Sequence, residues 1–295
     1  MEITVPWTHH SSTFSMLCLG NFDPTVRRGP AGLVAVLEGS VITLRWATRD
    51  GSTTYTATFD GDPPSWPETF VKRLVGWDHL PLEPSPEHLA ATRSAARHRN
   101  LRIAGNGLVF TECVKAVLGQ RITGHDAALQ WSRLVHVTAE PISRYADLGL
   151  FALPDPEAVT RLTTAQFHRL GIEERRGRTI RQLADLAHRG HLDSVDSTHA
   201  LADRTRHLTG FGRWSLAVAG GNAFGDSDAL PVGDFHLKNT VSWALTGKPR
   251  GTDDEMLALL APYTGWRWWI TRCLSLDYRS PRFDHRRPNP DIRMM

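Results

Sequence analysis

The sequence is poor in cysteine. Only three of its 295 residues are cysteines, at positions 18, 113 and 273, and no two of them form a CxxC pair. A zinc ribbon and a four-cysteine iron–sulfur cluster both need closely spaced cysteines, so neither is expected here. An odd number of widely separated cysteines is also unlike the framework of a secreted, disulfide-rich protein.

Long apolar segments are missing as well. No apolar run approaches the ~20 residues that a membrane helix needs. Residues 1–7 lack the basic start and apolar core of a signal peptide. We therefore expect a soluble protein of a reducing compartment, with no membrane as a partner.

Neither sign of charge dominates the composition. Lys and Arg number 34 against 31 Asp and Glu, and this formal net charge of +3 does not by itself indicate a nucleic-acid partner. With 41% hydrophobic and 22% charged residues, the chain is not disordered throughout. Its length exceeds what one hydrophobic core usually needs, which predicts two or three packed units.

The first eighty residues have the pattern of a β-rich unit. Short β-branched and aromatic runs predict strands over 14–19, 32–37, 41–46 and 53–59. Hairpin turns are predicted at Glu38-Gly39-Ser40 and at Asp50-Gly51. Pro67 precedes a helix predicted over 68–75, and the prolines of 78–88 mark a linker.

The rest of the chain has helical spacing. Apolar periodicity predicts eight helices, over 108–118, 125–135, 175–188, 198–207, 214–224, 235–245, 253–260 and 266–276. The predicted fold is mainly α, and α+β overall. An antiparallel β-containing domain (1–80) precedes a large all-helical domain (81–280) and a basic C-terminal tail (281–295).

The most informative stretch is Leu208-Thr-Gly-Phe-Gly-Arg-Trp-Ser-Leu-Ala-Val218, in which a Gly-apolar-Gly turn separates two predicted helices. Glycines let the main chain approach a ligand closely. Amides at the start of the second helix lie beside the positive end of its dipole, which favours a phosphate-sized anion. The alternative is a plain helix–helix corner with a glycine cap.

Asp234 lies about twenty residues further on, in the segment Pro231-Val-Gly-Asp-Phe-His. It occupies the N-cap position of the helix predicted to begin at Phe235. A carboxylate at an N-cap accepts backbone N–H groups, and the helix dipole favours its charged form. A purely structural capping role is the alternative.

The hairpin and the aspartate, at this spacing, resemble the signature of the helix–hairpin–helix (HhH-GPD) DNA glycosylases of base excision repair. Their hairpin has the form Leu-x-Gly-apolar-Gly. The resemblance covers about 80–280 and implies a two-lobed helical domain, with lobes at 108–228 and at 81–107 plus 229–280. It implies that Asp234 is catalytic, because a fixed carboxylate stabilises the positive charge that builds on the sugar.

The same resemblance implies the partner and the setting. The expected partner is double-stranded DNA that contains a modified base, which the enzyme flips out of the duplex. No cofactor is expected. We expect a monomer, located in the cytoplasm and associated with the nucleoid.

Trp214 decides the expected subclass. Superfamily members that also cut the DNA backbone carry a lysine two residues after the second hairpin glycine, and Trp214 takes that position here. The resemblance therefore implies a monofunctional hydrolase without lyase activity. The stretch is most similar to the AlkA-type DNA-3-methyladenine glycosylase II family, where a tryptophan lines the base pocket and suits a cationic alkylated purine. Simple helix packing is the alternative for Trp214.

A second segment, 109–123, resembles the first core helix of the alkylpurine family, which ends in Leu-Gly-Gln and a wedge residue. Arg121 takes the wedge position, where it would fill the gap left by the flipped nucleotide or contact a phosphate instead. Gln120 would read the opposite strand, or is a polar residue that merely ends the helix.

The remaining expectations also follow from the resemblance. Further residues expected to bind DNA are Gly210, Phe211, Gly212, Arg213 and Lys238. The expected base pocket adds Phe235, Trp268 and Trp269 to Trp214. Backbone carbonyls of Arg206, Leu208 and Phe211 match positions that hold a monovalent cation in family members.

Two basic stretches, 167–178 and 279–293, would add phosphate contacts or be ordinary solvated surface. Two other functions stay open. One is the same chemistry on a deaminated, oxidised or bulky modified base. The other is a non-enzymatic HhH protein that binds DNA.

Overall fold

The computed structural model describes residues 1–20, 22–77 and 87–281. Most of the predicted linker and nearly all of the basic tail lie outside these residues. The N-terminal unit is an antiparallel sheet of five strands in the order β1-β5-β4-β3-β2. The strands are β1 (Glu2–Val5), β2 (Val26–Gly29), β3 (Gly32–Leu37), β4 (Ser40–Arg49) and β5 (Ser52–Gly61).

Two tight hairpins set the register of the central strands. Leu37 pairs with Ser40, and Arg49 pairs with Ser52, so each hairpin loop holds two residues. In the second loop Asp50 and Gly51 both have positive φ, at 48° and 79°. This is the backbone of a type I′ turn, which matches the twist of the flanking strands. The predicted strands over 32–37, 41–46 and 53–59 and both predicted turns are confirmed.

The predicted strand over 14–19 is wrong, because this segment consists of turns. Phe14 and Leu17 are buried in the core of the N-terminal unit, so the apolar run reflects burial without strand pairing. Strands β1 and β2 were not predicted. Each has only four residues, which is too short for a clear alternation of apolar and polar positions.

Twelve α-helices occur in the described part of the chain, and they include all of the predicted helices to within a few residues. They are α1 (Pro67–Val75), α2 (Leu89–Arg97), α3 (Val109–Leu118), α4 (Gly124–Thr138), α5 (Pro156–Thr160), α6 (Thr164–Arg169), α7 (Glu174–His188), α8 (Thr198–Thr205), α9 (Arg213–Phe224), α10 (Leu237–Thr246), α11 (Asp253–Leu260) and α12 (Arg267–Asp277). Two short 3-10 helices span Ser143–Leu148 and Ala261–Tyr263. The sequence analysis missed α2, α5 and α6, of which the last two have only five and six residues.

The described residues form three main hydrophobic cores. The first lies between the sheet and α1. The second surrounds α3, whose ten residues are all buried, and extends to α9. The third lies among α2, α10, α11 and α12 and contains the buried rings of Tyr263 and Trp269. The predicted fold class, a mainly helical protein with an N-terminal antiparallel sheet, is confirmed, and α9 and α10 carry the residues of interest on two different helical cores.

None of the helices in the described part of the chain combines the length and the apolarity that crossing a membrane requires.

Candidate active site

The hairpin between α8 and α9 is shaped by Gly210. This residue has φ +96°, a backbone conformation that residues other than glycine rarely adopt. A Cβ placed there would lie 2.3 Å from Oγ1 of Thr179 on α7. That hydroxyl donates to the carbonyls of Arg175 and Thr209, both at 3.1 Å, so α7 supports the hairpin directly. Glycine at position 210 is therefore required by conformation and by space.

The start of α9 presents free backbone amides. Gly212 is the N-cap residue, no side chain caps the helix, and nothing lies within 4 Å of a Cβ at this position. The first intrahelical bond runs from the Leu216 amide to the Gly212 carbonyl at 2.9 Å. Within the described residues the amides of Arg213, Trp214 and Ser215 thus lack an acceptor. Such a helix start favours an anion.

Gln120 fastens the end of α3 to the hairpin. Its side-chain Nε2 donates to the Gly210 carbonyl at 2.8 Å and to Oγ of Ser215 at 2.7 Å. Both amide hydrogens are thereby used inside the protein. Gln120 was expected to read the opposite DNA strand or merely to end the helix, and the contacts observed here give it a positioning role at the hairpin.

Arg121 lies in the loop between α3 and α4 with an unusual backbone. Its φ is +57°, and in the described part of the chain only Asp50 shares a positive φ among residues other than glycine. The side chain is exposed and makes no hydrogen bond or ion pair with any described residue. A left-handed arginine is strained, and such strain persists only where the surrounding structure fixes it. The loop therefore presents an unpaired guanidinium to solvent next to Gln120.

Asp234 is fixed by three donors. Its Oδ1 accepts the backbone amides of His236 and Leu237, at 2.8 and 2.9 Å. Its Oδ2 accepts the indole N–H of Trp214 at 3.1 Å. Because α10 begins at Leu237, Asp234 precedes the N-cap residue His236 by two positions, so the expected N-cap position is wrong by two residues. Its carboxylate nevertheless accepts amides at the helix start, and it remains half-buried.

Trp214 joins the hairpin helix to the aspartate loop. A Cβ at Gly119 would lie 3.2 Å from Cη2 of the indole, so glycine at 119 leaves room for the ring. The ring is half-buried between α3 and Asp234. Phe235, the residue after Asp234, is 68% exposed. Its ring contacts the His236 ring edge-on, with 5.0 Å between the ring centroids.

Two of the tryptophans expected in the base pocket lie elsewhere. Trp269 is 1% exposed, and its indole donates to the Leu101 carbonyl at 3.0 Å. Trp268 is 8% exposed and packs against Gly221 and below Arg272. Both belong to the third hydrophobic core. The expectation that they offer a stacking face is therefore not met, because their rings are already covered by protein.

Lys238 is paired within the protein. Its Nζ lies 3.3 Å from Oδ2 of Asp253, the first residue of α11. Oδ1 of the same carboxylate accepts the Gly233 amide at 3.2 Å. The expected phosphate contact of Lys238 would thus compete with an existing ion pair, while Arg213 at the hairpin is exposed and unpaired among the described residues.

The basic stretch 167–178 divides into buried and solvated parts. Arg176 is buried and donates to the Leu118 carbonyl and to Oε1 of Gln130, both at 3.0 Å. It therefore supports the end of α3. Arg178 pairs with Glu174 at 2.7 Å on the exposed face of α7.

The carbonyls expected to hold a monovalent cation are those of Arg206, Leu208 and Phe211. None of the three accepts a hydrogen bond from a described residue. Free carbonyls on one hairpin suit a hard cation chemically. The ion itself stays a prediction.

Similarity to known proteins is found in the three-dimensional structure and not in the sequence. No protein-family model matches the sequence, and no curated protein matches it significantly. A 3-methyladenine DNA glycosylase from Archaeoglobus fulgidus superposes with a TM-score of 0.71 at 15% identity, over 94% of this chain and 98% of that one. The 8-oxoguanine glycosylase/lyase of Clostridium acetobutylicum, in complex with DNA, gives 0.67 at 10% identity, over 94% and 98%.

A third solved structure agrees over a smaller part of the chain. The 3-methyladenine DNA glycosylase Mag1 of Schizosaccharomyces pombe, in complex with abasic DNA, gives a TM-score of 0.52 at 17% identity, over 68% of this chain and 92% of that one. At such identities the likeness concerns the fold. This chain has the fold of the HhH-GPD DNA glycosylases.

Proposed function

We propose that this protein is a monofunctional DNA glycosylase that hydrolyses the N-glycosidic bond of a modified base in double-stranded DNA, with alkylated purines as its substrates. One observation carries the proposal. The Asp234 carboxylate is held by the Trp214 indole and by two amides of the α10 start, beside a hairpin whose own helix start has unpaired amides.

In the proposed function, the hairpin binds the DNA backbone. The amides of Arg213, Trp214 and Ser215 point from the positive end of α9 and would bind one phosphate of the damaged strand. Exposed Gly212 lets the strand approach these amides. The unpaired guanidinium of Arg121 would enter the duplex, or contact its backbone, where the flipped nucleotide leaves a gap.

Asp234 supplies the chemistry. As the bond between C1′ and the base nitrogen breaks, its electron pair leaves with the base and positive charge builds on the deoxyribose. The fixed negative charge of Asp234 stabilises the positive charge that develops on the sugar more than it stabilises the ground state, in which the sugar is uncharged, and this difference lowers the barrier. Water then forms the new C1′–O bond and loses a proton to solvent or to the departing base.

Aromatic side chains beside the carboxylate favour an alkylated purine. Alkylation at a ring nitrogen makes a purine cationic, and a cation is attracted to the face of an indole or phenyl ring. Trp214 is half-buried and Phe235 is exposed, so both have ring surface to offer. Two of the structurally similar enzymes are themselves described as 3-methyladenine glycosylases.

The absence of lyase activity rests on the amines near Asp234. A tryptophan stands at the position of the nucleophilic lysine. Lys238, one turn after the carboxylate, has its Nζ engaged by Asp253. An ammonium held in an ion pair is a poor nucleophile, because a Schiff base requires the neutral amine.

A lesion panel tests the proposal. Duplexes that each carry one N7-methylguanine, hypoxanthine or 8-oxoguanine are incubated with the full chain, and the released bases are identified by mass. We expect release of methylated purine, no strand cleavage before alkali, and no covalent complex after borohydride. Release of 8-oxoguanine alone, or a trapped covalent complex, would contradict the substrate or the monofunctional assignment. Binding without release of any base would contradict the enzyme.

A further inference from the structure

The segment that carries Asp234 is held from both sides by residues outside it. On the N-terminal side, the Gly233 amide donates to Oδ1 of Asp253 at 3.2 Å. On the C-terminal side, the Phe235 carbonyl accepts Nδ2 of Asn239 at 2.9 Å. The residue before the carboxylate and the residue after it are thus each tied to a separate side chain.

The two side chains that hold this segment, Asp253 and Asn239, are themselves connected through residues 251–253. Oδ1 of Asn239 accepts the Gly251 amide at 3.1 Å, and Asp253 begins α11 two residues later. Gly251 packs tightly against α10, since a Cβ there would lie 2.7 Å from Cβ of Ser242 and 3.0 Å from the Lys238 carbonyl. Residues 251–253 therefore fix the aspartate loop against the start of α10.

Gly233 makes this support necessary. It has φ +94° and no heavy atom within 4 Å of a Cβ position, so neither sterics nor packing restrains it. Glycine explores backbone conformations more freely than any other residue. The hydrogen bond to Asp253 restrains the peptide between Val232 and Gly233, while the amide of the next peptide, that of Asp234, donates to the Pro231 carbonyl at 3.2 Å.

We infer that Asp253 is a positioning residue for Asp234, acting as the acceptor that holds the Gly233 peptide so that the catalytic carboxylate meets the C1′ atom of the flipped nucleotide. This inference rests on the proposed function. A displacement of about 1 Å at a reacting group is enough to cost a large factor in rate. Lys238 completes the arrangement by keeping the Asp253 side chain turned toward the loop.

The test compares three variants in single-turnover release of N7-methylguanine, with binding measured on a duplex that contains a tetrahydrofuran abasic-site analogue. Asp253→Ala removes the acceptor and should slow release about tenfold, while affinity for the abasic duplex stays within about twofold. Asp253→Asn retains a carbonyl acceptor and should restore most of the rate. Both variants free Lys238, so an effect of the unpaired amine would appear in both.

Asp254→Ala is the matched control. Asp254 lies in the same first turn of α11, is exposed, and makes no side-chain contact with a described residue. It should release base at the wild-type rate. Wild-type rates for Asp253→Ala, or equal loss in Asp253→Ala and Asp253→Asn, would overturn the positioning role. Failure of the wild-type chain to release any base would instead overturn the proposed function.

Discussion

Trp214 has two distinct contacts in the site. Its ring fills the space left by Gly119, and its indole N–H donates to the Asp234 carboxylate at 3.1 Å. In the proposed function the face of the ring contacts the base, while the indole N–H holds the Asp234 carboxylate. A substitution that keeps the ring but removes the donor separates these two roles.

Trp214→Phe should lower the single-turnover rate of base release by about tenfold, which corresponds to about 1.4 kcal/mol. Hydrogen bonds to charged groups contribute roughly 1.5–3 kcal/mol, and the half-exposed position of Asp234 reduces that contribution. Affinity for an abasic-site duplex should stay unchanged. Trp66→Phe, at a 78% exposed tryptophan of the N-terminal unit, is the control. A wild-type rate in Trp214→Phe would show that the indole N–H has no role.

Individual residues differ in how well the sequence predicted them. Gly210 and Asp234 were selected because they stand in a spaced motif that resembles a family signature, and their functional roles stay predictions. Gln120, Asp253 and Lys238 act through side-chain contacts between different elements, 90 residues apart for Gln120 and Gly210 and 15 for Lys238 and Asp253. Composition and spacing carry no signal for such pairs. Trp269 was misplaced because an aromatic residue on a helix has the same pattern whether it faces a core or a pocket.

At the scale of elements, the hairpin contains two glycines in different environments. Gly210 is closed in by Thr179, whereas Gly212 is open to solvent with φ −94°, which any residue can adopt. Gly210 is therefore required by the fold, whereas Gly212 leaves the space in which the proposed function places a DNA strand. A substitution of Gly210 should therefore lower stability, and a substitution of Gly212 should lower affinity for DNA.

Gly210→Ala should lower the melting temperature by several degrees, because a left-handed non-glycine residue costs roughly 1–3 kcal/mol before its contact with Thr179 is counted. Gly212→Leu should leave the melting temperature unchanged and reduce affinity for damaged and undamaged duplexes about tenfold or more, since the side chain covers the α9 amides. Thermal unfolding and fluorescence anisotropy measure both effects. Equal destabilisation by the two variants would contradict this division of roles.

Helices were predicted better than strands for a physical reason. A helix of ten or more residues shows its buried face several times, as in α7, and a glycine follows the end of several helices. Short strands and short helices contain too few repeats of the apolar pattern to be recognised, which is why β1, β2, α5 and α6 were not predicted. The turns over 14–19 were misread because a buried apolar run looks alike in a turn and in a strand.

At the scale of the whole molecule, buried polar groups join the N-terminal unit to the helices of the site. Lys115 on α3 contacts Asp23 at 3.1 Å and the Leu17 carbonyl at 3.0 Å. Burial opposes the charge of Lys115, yet the carboxylates of Asp23 and Glu112 raise its pKa. The indole of Trp131 also donates to Asp23 at 2.9 Å. The segment between β1 and β2 is thus anchored to α3, the helix that precedes Gln120.

A second connection runs through two histidines. The Ser12 amide donates to Nδ1 of His10 at 3.1 Å, which leaves the His10 proton on Nε2. Nε2 then donates to Nδ1 of His98 at 3.1 Å, and Nε2 of His98 donates to Asp277 at 2.8 Å. All four ring nitrogens of His10 and His98 have a hydrogen-bond partner when both imidazoles are neutral. An added proton would place two N–H groups against each other.

Stability should therefore fall as the pH falls from about 6.5 toward 4. Burial, then the neighbouring His98 and Arg272, lower the pKa of His10, and burial, His10 and Arg28 lower the pKa of His9 to about 4. A base whose folded pKa lies below its unfolded value of about 6.5 stabilises the fold above that value and loses this contribution as the pH drops.

Melting temperatures measured between pH 7.5 and 4.5 check this expectation, with His10→Gln as the comparison. The variant removes one titrating group and should show a shallower decline. Of the other charged groups at this junction, Arg272 acts on His10, and Arg97 forms an ion pair with Asp277 at 2.8 Å. Although burial acts against it, hydrogen bonds from Ser94, His98 and Arg97 lower the pKa of Asp277 below its ordinary value, so it stays ionised through this range. A decline equally steep in His10→Gln would contradict the role of the histidine pair.

The central claim is that the Asp234 carboxylate stabilises the sugar cation, and Asp234→Asn tests it most directly. Asparagine keeps an acceptor for the His236 and Leu237 amides but removes the negative charge. In single-turnover assays on N7-methylguanine duplexes, release should fall by at least about a hundredfold, while affinity for an abasic-site duplex stays within about threefold of wild type. Release at the wild-type rate by Asp234→Asn would contradict the account.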